Sequence, residues 1–317
     1  MGPANNLRGG RVNDSDDLPE DVQTLVSAVT ESGPELIWHY TNADGLLGIL
    51  KSGAIWATDA AYVNDTAELV YTLDEVRKAV VKATHGADRR AIEVLLKRLA
   101  GDDFGAVVIA CFCADGDLLS QWRGYSASGG FSIGFNTGEL ARHWMVRESV
   151  GLLAPINYSE TDAREAVSRW TDSALEKWGE ILPDGIDALI AGRKEVTDEL
   201  VDEFAPLAQR LDRTLGHLRW AAAFHKHPSF SEEQEWRLTT SGMSSEDVAL
   251  GFRTTPLGLV PYRSIAFQED SQESPIRCVR VGPGSNADLQ MTAVRRLLSE
   301  LDYTDVEVVK SATPFRG

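Results

Sequence analysis

The sequence predicts a mixed α+β fold. Two observations carry that expectation. Apolar, β-branched or aromatic runs of strand length recur along the chain and are separated by turn residues in its last quarter. Charged stretches with helical spacing interrupt those runs without the regular strand and helix alternation of a doubly wound sheet. Residues 1–33 read as a polar N-terminal lead and helix, and residues 34–317 as one domain with a helical insertion at about 161–218.

In chain order, Val22, Leu25, Val26 and Val29 recur at helical spacing after the polar lead. Residues 36–40 form an apolar strand that carries His39 and delivers it to a sheet edge. A short helix follows, with Asn42 or Asp44 as N-cap, Leu46, Leu47, Ile49 and Leu50 as apolar face, and Gly53 closing it in a left-handed conformation. Residues 55–58 form a second strand ending in the polar pair Thr58-Asp59. Two charged helices at 66–82 and 88–99 then cover one face of the sheet. The β-branched run at 104–113 predicts a central strand, followed by a polar block at 120–125 and a strand at 131–135. From 137 to about 212 the chain is mostly helical, apart from a strand at 153–158, with a turn at Pro183-Asp184-Gly185. A strand beginning near Glu235 leads to further strands at 248–252, 257–262, 265–267 and 276–281. A helix at 287–301 and a strand at 306–310 complete the chain.

The formal net charge of −17 argues against binding nucleic acid through a broad basic surface, because phosphate neutralisation supplies most non-specific affinity. A local basic pocket for the pyrophosphate of a dinucleotide remains compatible with it. No run of 18 apolar residues occurs, so no membrane span is expected, and the polar N-terminal stretch lacks the apolar core of a secretion signal. Three cysteines make an odd count, which points to a reduced, cytoplasmic setting rather than a disulfide framework. Cys111 and Cys113 share a strand face without further ligands. In His225-Lys226-His227 the two imidazoles would share a face on a strand, again without accompanying ligands, so no metal is predicted; Lys226 could bind phosphate or a target.

Three blocks could carry chemistry. The first is His39-Tyr40-Thr41, although a histidine in an apolar strand is commonly a satisfied core residue. The second is Ser120-Gln121-Trp122-Arg123-Gly124-Tyr125, where Trp122 and Tyr125 could either pack under the sheet or form a stacking wall for a flat cationic ring. Arg123 would then reach a pyrophosphate with its planar fork. The third begins at Glu235, which strand alternation puts with Arg237 on a polar face, opposite Trp236 and Leu238. Glu232 and Glu233 read as an acidic loop, and Tyr62 could line the same pocket as the first block.

Trp38-His39, then Thr41, Asn42 and Gly48-Ile49-Leu50-x-x-Gly53, resembles the first motif of ADP-ribosyltransferases of the diphtheria-toxin and poly(ADP-ribose)-polymerase type. The three blocks together also resemble an uncharacterised bacterial family known only as a domain of unknown function. The first resemblance implies a mixed, largely antiparallel split sheet and NAD as substrate. By it, His39 bonds a ribose hydroxyl, Thr41 helps hold the nicotinamide amide, and Ser120 and Tyr125 line the nicotinamide pocket. Tyr40 stands where that family often has Gly. Glu235 resembles the glutamate that begins a late strand, and Glu233-x-Glu235 the paired glutamates of the arginine-modifying branch, which has Arg where this chain has His39. The implied activity is ADP-ribose transfer to an unidentified protein or nucleic-acid acceptor, as a bacterial toxin or phage-defence effector with an antitoxin or regulatory partner. An NAD glycohydrolase, a non-catalytic nucleotide-binding module, and a metal-free nuclease using His39 and His227 are the alternatives.

Overall fold

The computed structural model describes residues 29, 31–62, 107–125, 129–147, 151–159, 161–162, 165, 223–240, 250–255, 258–268 and 274–314. The helices expected at 66–82 and 88–99, nearly all of the insertion expected at 161–218 and most of the lead at 1–33 lie outside these residues.

The described strands are β1 (Leu36–Thr41), β2 (Ala54–Asp59), β3 (Val108–Cys113), β4 (Phe131–Asn136), β5 (Gly151–Pro155), β6 (Glu235–Thr240), β7 (Gly251–Thr255), β8 (Gly258–Ala266), β9 (Ile276–Val281) and β10 (Glu307–Lys310). The helices are α1 (Ala43–Ser52), α2 (Leu119–Tyr125), α3 (Thr137–Arg147) and α4 (Ala287–Glu300). They make a mixed α/β fold around a ten-stranded, mostly antiparallel open sheet. Among the described strands β9 and β10 pair in parallel. The runs expected as separate strands at 257–262 and 265–267 are one continuous strand, β8, because it pairs with β7 along its first half and with β2 along its second.

α1 forms as its sequence requires. Asn42 caps it by accepting a hydrogen bond from the Gly45 amide at 2.9 Å, and Gly53 ends it at φ 59°. Leu46, Ile49 and Leu50 are buried, each contributing about 1.5–3 kcal/mol relative to exposure. Alternation then divides the sheet's two faces. One face gathers Ile37, Phe112, Ile133 and Phe135 with residues of α1, α3 and α4. The other holds a smaller cluster of Trp38, Tyr40, Cys113, Trp122 and Cys278.

The sheet forks at β3. Along one edge β3 pairs with β6 over its whole length. Its opposite edge is shared: Ile109 and Val108 pair with β2, while Cys113 pairs with Trp38 of β1. One arm therefore runs β1-β4-β9-β10 and the other β2-β8-β7. Continuing the antiparallel register from Trp38 and Cys113 would put His39 opposite Phe112 and Thr41 opposite Ala110, but the strands have parted there. This corrects the expectation that His39 reaches a sheet edge. β1 is an interior strand, paired with β4 along all six residues, and His39 sits where the interior of the sheet opens.

Candidate functional site

A cleft of about 1050 Å³ occupies the fork. His39, Thr41 and Gly45 border it on one side, Cys111 and Phe112 at its base, and Trp56, Thr58 and Arg253 on the other arm. Lys226, Glu233 and Glu235 border it from the β6 side.

His39 Nδ1 lies 2.9 Å from the Cys111 carbonyl oxygen, in the stretch of β3 that has left β1. A carbonyl only accepts, so this nitrogen carries the proton and Nε2 is the acceptor. Burial lowers the imidazole pKa; the backbone hydrogen bond opposes that shift and the charge of Arg253 adds to it. The ring is therefore neutral at pH 7. Thr41 leans on the first turn of α1, where any Cβ at Gly45 would collide with its Oγ1. Glycine at 45 is thus what allows the threonine hydroxyl to sit beside the cleft.

Tyr40 also borders the cleft, but its hydroxyl is committed. It donates to the Asp115 carbonyl at 2.9 Å and accepts from the Leu118 amide at 2.8 Å. Its ring meets Trp122 edge to face, with centroids 4.7 Å apart. The ring points into the smaller core cluster.

The second block divides differently from the expected aromatic wall. Residues 119–125 are helical, so Gln121 and Tyr125, four apart, share the face that borders the cleft. Trp122 points the other way, buried, with Nε1 donating to Asp117 Oδ1 at 2.8 Å. Arg123 is exposed and Ser120 is half-buried; neither borders the cleft. Of the two alternatives for the aromatic pair, packing under the sheet holds for Trp122 and the cleft border for Tyr125, because the helical period turns successive side chains about 100° apart. Tyr62 borders the cleft and is 49 % exposed.

Glu235 opens β6, and both of its carboxylate oxygens are engaged. Arg237 donates from Nε to Oε1 at 2.7 Å and from a terminal nitrogen to Oε2 at 3.1 Å, while Lys226 Nζ donates to Oε2 at 3.2 Å. The Cys111 thiol, pushed up by burial and hence protonated, hydrogen-bonds it as well. Burial alone would raise the Glu235 pKa. Arg237 first, then Lys226 and Cys111, outweigh that and hold the carboxyl below the usual carboxylate range. Alternation does place Glu235 and Arg237 on one face, but that face is buried rather than polar and open. The segment before β6 covers it: Arg237 reaches the Ala223 carbonyl at 2.7 Å, and the Lys226 side chain, 1 % exposed, also binds Glu233 at 2.8 Å. Gln234 adopts a left-handed conformation, φ 45°, between this cover and β6, a position that side chains other than Gly, Asn and Asp seldom take.

His225 and His227 do not share a strand face. His225 is buried at an isolated bridge to Asn157, while His227 is exposed and its Nδ1 accepts from the Ser229 amide at the start of a 3₁₀ turn. Among the described residues no group of three His, Cys, Asp or Glu could hold a metal ion. No helix among them is long and apolar enough to cross a membrane.

The sequence reading missed Trp56, Gln121 and Arg253. Gln121 could have been found from its spacing to Tyr125. Arg253 carried no such signal, because β7 reaches the cleft only through its pairing with β8 and the pairing of β8 with β2.

Fold and site together define a mixed α/β protein with a forked, mostly antiparallel sheet around a cleft of about 1050 Å³. Residues 121–238 match the model of a family described as Protein of unknown function (DUF2971). The match takes in most of the second block and the whole of the third, while the His39 block lies before it. No curated protein and no solved structure matches the chain.

Proposed function

We propose that the cleft binds NAD and that the protein transfers ADP-ribose from it to a macromolecular acceptor. The observation that supports this most is the fork itself: one opening is bordered both by a neutral histidine, which carries an acceptor nitrogen, and by an ionised glutamate. Its volume suits a ligand larger than a mononucleotide. In the reaction the bond between nicotinamide nitrogen and ribose C1′ breaks, and its electron pair leaves with nicotinamide, which becomes neutral. An acceptor heteroatom forms the new bond to C1′ and releases its proton. His39 Nε2 would accept from a ribose hydroxyl and orient the sugar. Glu235 would stabilise the positive charge that develops at C1′. With water as acceptor the same chemistry is NAD hydrolysis.

A second reading has its own support. Arg237 and Lys226 already offset the charge of Glu235, which favours a module that binds a nucleotide without cleaving it.

The test is nicotinamide release from NAD by wild type, Glu235→Gln and His39→Ala, with and without cell lysate as acceptor source. Release that His39→Ala lowers about 100-fold or more, in line with the loss of a positioning contact, supports NAD chemistry. Dependence on lysate separates transfer from hydrolysis. NAD bound by wild type with no nicotinamide released, in lysate or out of it, sinks the transferase reading in favour of the binding module. His39→Ala leaves the buried ion cluster intact, so it remains informative if Glu235→Gln fails to fold.

A further inference from the structure

The β6 side of the cleft and the β2-β8-β7 arm differ in one respect that bears on the ligand. Lys226 is matched by Glu233 and Glu235, and Arg237 by Glu235. Arg253 borders the same cleft and has no acidic partner among the described residues. One of its terminal nitrogens donates to Thr58 Oγ1 at 2.8 Å, and its Nε is buried without a partner. In a chain of net charge −17, a cleft-facing guanidinium with no carboxylate partner among the described residues is a feature that an anionic ligand would explain.

An aromatic platform stands beside it. Trp56 and Thr58 share a face of β2, Tyr262 lies across from Thr58 on β8, and Arg253 pairs with Val260. The rings of Trp56 and Tyr262 stack with centroids 4.5 Å apart at 27°. A Cβ at Gly251 would come within 2.6 Å of the Tyr262 ring, so glycine there lets Tyr262 lean over β7 and brace Trp56. Trp56 remains 41 % exposed and borders the cleft. Two residues of strand, roughly 7 Å, separate it from the threonine that holds the guanidinium. That spacing is comparable to the distance between the base and the phosphates of a nucleotide.

We infer that the β2-β8-β7 arm is the anchoring subsite for a nucleoside diphosphate, with Arg253 taking the phosphates and Trp56 the base. It deepens the NAD reading, since NAD contains such a moiety, but any nucleoside diphosphate would satisfy it. It also replaces Arg123, which is exposed outside the cleft, as the pyrophosphate contact.

Calorimetric titration of the full chain with ADP, adenosine and inorganic pyrophosphate tests it. Wild type and the surface control Arg296→Gln should bind ADP about tenfold or more tighter than adenosine, as a charge-assisted contact implies. Arg253→Gln should abolish that difference while leaving adenosine affinity unchanged, and Arg253→Lys should restore part of it. Trp56→Leu should weaken ADP and adenosine about equally, by roughly tenfold for one lost stacking contact, and leave pyrophosphate unaffected. Thermal unfolding of each variant guards against misfolding. The inference is overturned if wild type binds ADP no better than adenosine, if it binds neither, or if Arg123→Gln rather than Arg253→Gln removes the preference. The two readings fail separately. ADP bound through Arg253 with no nicotinamide release from NAD leaves the subsite and sinks the transferase. Nicotinamide release with the same KM for NAD in Arg253→Gln does the reverse.

Discussion

At the β1 and α1 end of the cleft, His39 spends one ring nitrogen on the Cys111 carbonyl and keeps the other as an acceptor, while Thr41 is held against Gly45. At the β6 end, Glu235 has both oxygens taken by Arg237 and Lys226, and Lys226 is shared with Glu233. The first end is fixed by backbone and leaves polar groups for a ligand. The second is fixed by ion pairs and has satisfied its own charges. Binding specificity is therefore expected from the first end and from Arg253, and structural integrity from the second. A carboxylate offset by two cations can stabilise charge on a ligand only to the extent that one of those cations withdraws, so chemistry and stability compete at Glu235.

The largest expected effect tests that division. Glu235→Gln leaves the buried Arg237 without its counter-charge and Lys226 with Glu233 alone, and breaking a buried ion pair from one side costs about 3–5 kcal/mol. Glu235→Gln/Arg237→Met removes the stranded guanidinium together with the carboxylate and should recover much of the loss. Denaturant melts of wild type and both variants decide it. If Glu235→Gln is as stable as wild type, the ion cluster is not what holds β6 to its cover, and the contrast between the two ends is lost.

A smaller effect is expected at the other end, and of a different kind. Gly45→Ala would drive a methyl into the Thr41 hydroxyl, which must rotate away. Overpacking of this sort costs about 1–3 kcal/mol, while alanine regains about 1 kcal/mol of helix propensity over glycine within α1. Net stability should fall by no more than about 2 kcal/mol, yet the position of Thr41 changes. Calorimetric titration of NAD into Gly45→Ala should therefore show weaker binding in a protein whose melting curve remains close to wild type. Unchanged NAD affinity would mean that Thr41 does not touch the ligand.

How much of this was legible in the sequence follows from the range of the interactions. Most of α1 was readable because its caps and apolar face act within a few residues of one another: of the two N-cap candidates Asn42 rather than Asp44 caps it, Gly53 ends it, and Leu46, Ile49 and Leu50 are buried, whereas Leu47, expected on the same face, is exposed. That Glu235 lies on a strand was readable from alternation, and its place at the start of β6 is what the resemblance implied. The pairing of Glu235 with Arg237 was also there to be read, since residues two apart on a strand share a face, but the burial of that face depends on the segment at 223–233 folding over it. The turn of α2 that buries Trp122 and exposes Arg123 needed only the helical period. By contrast, the fork arises because β1 and β2 share one edge of β3, and no local pattern in any of the three strands specifies that. Arg253 enters the cleft through two successive strand pairings, far from the other site residues in sequence, and so carried no local signal.

The smallest expected effect separates the two ends by the pH at which each loses stability. His39 has its pKa lowered in the folded protein, first by burial, as does His225. Each is neutral when folded and takes up a proton on unfolding once the pH falls below about 6.5. The unfolded state then binds more protons, so stability declines as the pH drops below that value, by at most about 1.4 kcal/mol per pH unit for each group. Glu235 also has a lowered pKa, and its contribution is present above the ordinary carboxylate value and lost only as pH falls below it toward the folded pKa. Urea melts between pH 7 and 5.5 should therefore report the histidines without disturbing the ion cluster, and His39→Gln should flatten that slope by one group's share. A slope left intact by His39→Gln would mean that His39 takes up its proton as readily in the folded protein as in the unfolded chain, and so is protonated below about pH 6.5. Its Nε2 would then be a donor, unable to accept from a ribose hydroxyl, and the reading of the open end as the place where sugar is recognised would fail with it.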